Sequence, residues 1–236
     1  MMYQRSHHQL IANILYSLNA DLLFKNKCYF AGGTAIALIH GEYRESVDID
    51  FMVSDREGYR NIRNLLQDEW DLSPLCKPGI NLPLAKRIRK DQYGIRTAIT
   101  TPDNMIKFEI VSEGRILFEL PTTVNQICNI TCLTTIDQAA SKILANSDRW
   151  RDDIYYSRDV IDLAMLQLMQ QQWLAAQKKV LAAYGTSAIR DLHQAIEQLL
   201  ERQGWLEQCM AAMAISLPKI QLWQCLTTLQ KLIKKT

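Results

Sequence analysis

The apolar residues Leu10, Ile11, Ile14, Leu15, Leu18 and Leu22 recur at helical spacing and predict an amphipathic helix from about Ser6 to Phe24. The period then changes. Cys28 to Ala31 is short, apolar and followed by two glycines, which predicts a buried strand, a tight turn and a helix from about Thr34 to His40, with Gly41 placed to end it. Ile49 to Val53 reads as a second strand and Glu57 to Trp70 as a second surface helix. From Leu72 to Leu133 strands and turns are expected, punctuated by Pro74, Pro78, Pro83, Pro102 and Pro121. Within that stretch Met105 to Val111 alternates: Ile106, Phe108 and Ile110 point one way, Lys107 and Glu109 the other. Beyond Thr134 prolines become rare and Leu, Ala, Gln and Met dominate, so that half is expected to be helical, opening at a Thr135-x-x-Gln138 capping box. The pattern predicts an α+β fold: a mixed sheet flanked by helices over residues 1–133, then an all-helical domain over residues 134–236 that closes a cleft.

Composition narrows the function classes only a little. With 236 residues, 48% hydrophobic and 22% charged, the chain has the balance of a globular protein, and a net charge of +2 does not by itself argue for nucleic acid. Cys28, Cys76, Cys128, Cys132, Cys209 and Cys225 are scattered, without a C-x-x-C pair or a histidine at zinc spacing. No secretory pattern opens the sequence, so reduced thiols and a cytoplasmic location are expected. No apolar run approaches the roughly 20 residues that span a bilayer, so no membrane partner is expected.

The chemistry concentrates between Tyr29 and Val53. Gly32 and Gly33 let backbone N–H groups approach a ligand, and Thr34 adds a hydroxyl at a helix start, where the dipole favours phosphate. Asp48 and Asp50 are two apart on a strand, so their carboxylates share a face. Two such carboxylates repel each other unless a cation lies between them, and Mg²⁺ suits hard oxygen ligands completed by substrate phosphates. A third acid on a neighbouring strand would allow two ions to clamp an in-line displacement once a nucleoside triphosphate is bound. Glu109 fits that place, although alternation alone also produces exposed glutamates on half-buried sheets.

A Gly-Gly-Ser/Thr loop followed after some ten to thirteen residues by Asp-x-Asp resembles the signature of the polymerase-beta-like nucleotidyltransferases; here thirteen residues separate Thr34 from Asp48. With Arg44 and Ser46 just before Asp48, the string looks like the AbiEii/AbiGii toxin-like branch. The resemblance continues at Lys107-Phe-Glu-Ile, Lys142, Arg149 and Arg158-Asp159-Val-Ile-Asp162-Leu163, covering about residues 28 to 163. It implies metal binding by Asp48 and Asp50, phosphate contact by Lys142, and Asp159 as a late catalytic acid, with Asp162 the less certain candidate. It also places Gly32, Gly33, Thr34, Arg44 and Ser46 around the nucleotide. Without the resemblance Lys142 reads as a surface lysine, Asp159 as a helix-start acid, and Arg44 and Ser46 as turn-formers. The family often carries an acid three or four residues before its lysine; Gln138 and Asp137 stand near that place and receive no role.

The most basic stretch, Lys77 to Arg96, holds Lys77, Lys86, Arg87, Arg89, Lys90 and Arg96 against Asp91 alone. It suits a polynucleotide backbone, and equally a charged edge strand. The expected activity is Mg²⁺-dependent transfer of a nucleoside monophosphate from an NTP to an acceptor hydroxyl, on tRNA first and on a protein side chain second. A cognate antitoxin is an expected partner. The alternatives are a nucleotide- or partner-binding module without turnover, and a kinase-like phosphotransferase.

Overall fold

The computed structural model describes residues 3–102, 104–122 and 124–234; residues 1–2 and 235–236, the outer ends of the two expected domains, lie outside them. Two compact units are present, Met1–Leu38 with Ser46–Thr134 and Ile39–Glu45 with Thr135–Thr236. The chain therefore leaves the first unit at residue 39 and returns to it at residue 46.

The first unit is built on a five-stranded mixed sheet. Its strands are β1 (Tyr29–Ala31), β2 (Ile49–Val53), β3 (Leu84–Lys90), β4 (Gly94–Thr100) and β5 (Met105–Ser112), in the order β1-β2-β5-β4-β3. Only the β2–β5 pair is parallel. Ile49, Phe51 and Val53 of β2 and Ile106, Phe108 and Ile110 of β5 are buried, as their alternation requires. Phe30, Phe51 and Phe108 meet across three adjacent strands, with ring centroids 5.5 and 5.7 Å apart. These tilted contacts tie β1, β2 and β5 into one core. A short pair, β6 (Gln126–Ile127) and β7 (Ile130–Thr131), completes the strands of this unit.

Helices α1 (Ser6–Ser17), α2 (Ala20–Lys25), α3 (Gly32–Ile39) and α4 (Arg56–Leu65) surround the sheet. The helix expected over Ser6 to Phe24 is thus two helices. At the break, Leu18 forms a bridge with Cys76, and the Asn19 side chain accepts a hydrogen bond from the Leu22 N–H, capping α2. Asparagine competes for backbone donors in this way, and the apolar spacing does not register it. Helix α4 also stops short of the expected Trp70. Beyond it Asp68 accepts from the Trp70 N–H and Asp71 from the Ser73 N–H, turning the chain.

In the second unit α5 (Thr135–Arg149) packs against α6 (Arg158–Met165), α7 (Gln170–Tyr184) and α8 (Ser187–Glu201); α9 (Trp205–Ala212) lies on α8, and α10 (Lys219–Lys234) on α6, α7 and α8. Trp173, Leu192, Leu226 and Ile143 are buried in its core. Helix α6 is buried from Asp159 through Met165, so it has no solvent-exposed face along that run. No helix among the described residues is long and apolar enough to cross a membrane.

Candidate active site

The turn after β1 is shaped by a close approach. Gly32 has φ +73°, and a Cβ there would stand 2.6 Å from Asp50 Oδ2, so a side chain would be both strained and in collision with the carboxylate. Gly33 follows in the first turn of α3, where backbone N–H groups lack helical partners and can meet an anion. Thr34 is fully buried, with Oγ1 2.5 Å from the Asp48 carbonyl, to which it donates, and 2.8 Å from the Ser46 hydroxyl. Its hydroxyl therefore fixes the backbone that carries Asp48. His8 of α1, also buried, accepts the Ser46 N–H at 3.2 Å, and His7 Nε2 lies 3.1 Å from the Val47 carbonyl. The turn into β2 is held on two sides.

Register then brings the acids together. Asp50 pairs with Glu109 across β2–β5, Glu109 with Arg96 across β5–β4, and Arg96 with Arg89 across β4–β3. One row of the open sheet face thus runs from acid to base. Glu109 accepts from Arg96 Nε at 2.7 Å and pairs with Lys107 Nζ at 2.7 Å. Burial works against the charge on Lys107, but Glu109, Asp50 and Asp48 outweigh it and raise the ammonium pKa. All three carboxylates consequently act on one neighbourhood.

Asp48 and Asp50 supply hard oxygen ligands beside a turn whose missing Cβ leaves room at Asp50 Oδ2. That donor set fits Mg²⁺, which keeps several waters and takes further ligands from substrate phosphates. Among the described residues no three His, Cys, Asp or Glu side chains form a ready metal cage, and Glu109 is turned to its two cations.

The other candidates lie in the helical unit, within one buried ionic cluster. Arg44 grips Asp162 with both ends of its fork, Nε to Oδ1 at 2.7 Å and Nη2 to Oδ2 at 3.0 Å, and Tyr43 donates to the same carboxylate at 2.5 Å. Lys142 reaches Asp162 at 2.6 Å and Asp159 at 3.0 Å; Arg149 holds Asp159 by two bonds of 2.6 and 2.8 Å. Asp162 is 0% exposed and Lys142 7%. Burial alone would raise both acids, but Arg44 and Lys142 hold the Asp162 pKa below the ordinary carboxylate value, and Lys142 and Arg149 do the same for Asp159. Asp137, which received no role, is buried against Lys179 at 2.5 Å.

The first unit therefore gathers Gly32, Gly33, Thr34, Ser46, Asp48, Asp50 and Glu109, and the second gathers Arg44, Lys142 and Asp159. Four residues of these settings were missed as such. Tyr43 and the brace of His7 and His8 carry no spacing signal in the sequence, and Arg96 was visible only as one charge in a basic run.

The family model described as "Nucleotidyl transferase AbiEii toxin, Type IV TA system" matches residues 13–222. No curated protein matches the chain. Among solved structures, a Helicobacter pylori protein with a provisional nucleotidyltransferase assignment aligns with a TM-score of 0.50 and 15% identity, over 97% of this chain and 92% of that one. JHP933 from Helicobacter pylori aligns with a TM-score of 0.53 and 14% identity, over 100% and 93%. At such identities the likeness shows a shared fold.

Proposed function

This chain belongs to the nucleotidyl transferase AbiEii toxin family, and from that premise we propose that it transfers a nucleoside monophosphate from an NTP to an acceptor hydroxyl, with tRNA as the leading acceptor. The observation that carries the reading is the packing of the Gly32 backbone against Asp50, with Asp48 fixed from behind by Thr34. A phosphate chain bound at the loop would thereby lie beside the pair of carboxylates. Asp48 and Asp50 would hold Mg²⁺, with Glu109 beside them; when bound, the metal would neutralise charge on the phosphates and on the attacking oxygen.

The remaining work falls to groups of the chain. Gly32 and Gly33 receive phosphate oxygens through the backbone, Thr34 and Ser46 keep Asp48 in place, and Arg96 and Lys107 orient Glu109. Within the helical unit Lys142, Arg149, Asp159 and Asp162 hold one another, and Arg44 through Asp162 fixes the segment that precedes Asp48 in the chain. An antitoxin is the proposed protein partner. Catalysis in this scheme rests on positioning and charge neutralisation.

The test is incubation of the protein with total tRNA, Mg²⁺ and each NTP labelled at the α- or the γ-phosphate. Label from the α position entering tRNA, with γ label recovered in pyrophosphate, is the expected result. Transfer of γ label would make the protein a kinase, and α label in protein alone would move the acceptor from RNA to a side chain.

A further inference from the structure

The sheet face beyond Glu109 carries a groove of about 670 Å³ that begins at Asp48 and runs towards the β3 edge. Val47, Ala98 and Met105 give its floor an apolar strip beside Arg96, Thr97 and Lys107, and Val47 and Met105 are about half exposed. Its outer wall is cationic, formed by Lys86, Arg87 and Arg89. A register shift in β3 produces that wall. Lys86 pairs with Ala98 and Arg89 with Arg96, so one extra residue lies between them, and side chains three apart both reach the open face while Ile88 is buried. Neither Lys86 nor Arg89 meets a carboxylate among the described residues, and Arg87 only approaches Glu69, at 3.6 Å.

We infer that this groove binds the single-stranded end of a polynucleotide, with a base against Val47 and Met105 and the backbone phosphates along Lys86, Arg87 and Arg89. The inference rests on the nucleotidyl transfer proposed above. An apolar strip with a wall of cations is the chemistry that takes a base and its phosphates without reading sequence. Lys86 and Arg89 are left to meet phosphates, and the exposed Arg87–Glu69 pair at 3.6 Å is loose enough to exchange for one. Sheet order supports the polarity of the site. The phosphate loop follows β1, on one side of β2, whereas the groove lies over β5, β4 and β3, on the other. A donor at the loop and an acceptor in the groove would thus approach the carboxylates of β2 from opposite sides, as an in-line displacement needs. The terminal hydroxyl oxygen bonds to the α-phosphorus as the bridge to the β-phosphate breaks; pyrophosphate leaves with that electron pair, and the hydroxyl proton passes to water.

The test measures binding of a fluorescein-labelled single-stranded 12-nucleotide RNA by anisotropy, without NTP, across a salt series. The protein is compared with the Lys86→Ala/Arg87→Ala/Arg89→Ala variant and with Met105→Glu. Three lost phosphate contacts should reduce the slope of log Kd against log salt by about 2, at roughly 0.7 per contact, and weaken binding by about tenfold or more at moderate salt. Met105→Glu should weaken it as well, while binding of Mg²⁺-NTP stays unchanged in both. Unaltered RNA affinity in both variants would overturn the inference, as would a wild-type protein that transfers nucleotide to protein and binds no RNA. RNA binding that follows these variants in a protein without transfer would leave the groove standing and remove the transfer reading instead.

Discussion

Two sets of carboxylates in this molecule are treated in opposite ways. Asp48 and Asp50 are only half-buried, on an open sheet face beside a turn stripped of side chains, and Thr34 holds the Asp48 backbone through its carbonyl. Asp159 and Asp162 are buried, and every oxygen of the pair is met by Arg44, Lys142, Arg149 or Tyr43. Charge left accessible is available to a ligand, whereas charge neutralised inside a core ties chain segments together, and removing one partner of such a cluster leaves the others buried without compensation. In the helical unit the segment so tied is residues 39–45, which stands a few positions before Asp48 in the chain.

The comparison is broken most directly by substitution on each side. Asp48→Ala should lower nucleotidyl transfer by about 10³-fold or more, the scale on which lost electrostatic stabilisation is felt, with Tm little changed. Asp162→Ala should do the reverse at first order. It strands Arg44 and Lys142 in the core and should destabilise by about 3–5 kcal/mol, seen as a Tm lower by about 10 °C. Equal melting temperatures for the two variants would erase the distinction. Gly32→Ala sharpens it on the open side, because the new Cβ must displace Asp50; transfer should fall by about 10²-fold while the fold loses about 1–2 kcal/mol.

The smallest effect is the pH dependence. Asp159 and Asp162 have folded pKa values below those of the unfolded chain, so the stability they contribute is fully present above about pH 4 and is lost as the pH falls from there through the depressed folded values. The wild-type Tm should therefore fall as the pH drops below about 4, and Asp162→Asn should show a shallower fall from a lower starting point. Parallel curves would mean that the cluster does not carry the acid sensitivity.

The open face was legible in the sequence because it is local and periodic. Gly32-Gly33, the strand over Ile49 to Val53 and the outward side of β5 all follow from spacing, and so did the order of a mixed sheet before an all-helical half. Members of the buried cluster were singled out only through a family resemblance, and as nucleotide-binding and catalytic residues, not as one set of ion pairs. Asp162 sits on a helix whose polar side faces buried partners instead of solvent, so its pattern reads as an ordinary surface side, and its partner Arg44 is 118 residues away. The division of the first helix at Asn19 and the register shift in β3 escaped for another reason. Each depends on one side chain or one extra residue whose effect is decided by what packs against it.

The most direct measurement is transfer of α-labelled nucleotide by Asp50→Asn under Mg²⁺, with Tm taken on the same preparation. The account predicts a folded protein with wild-type Tm and no transferred label. Full transfer by that variant would contradict the placement of the chemistry on the open face of the sheet.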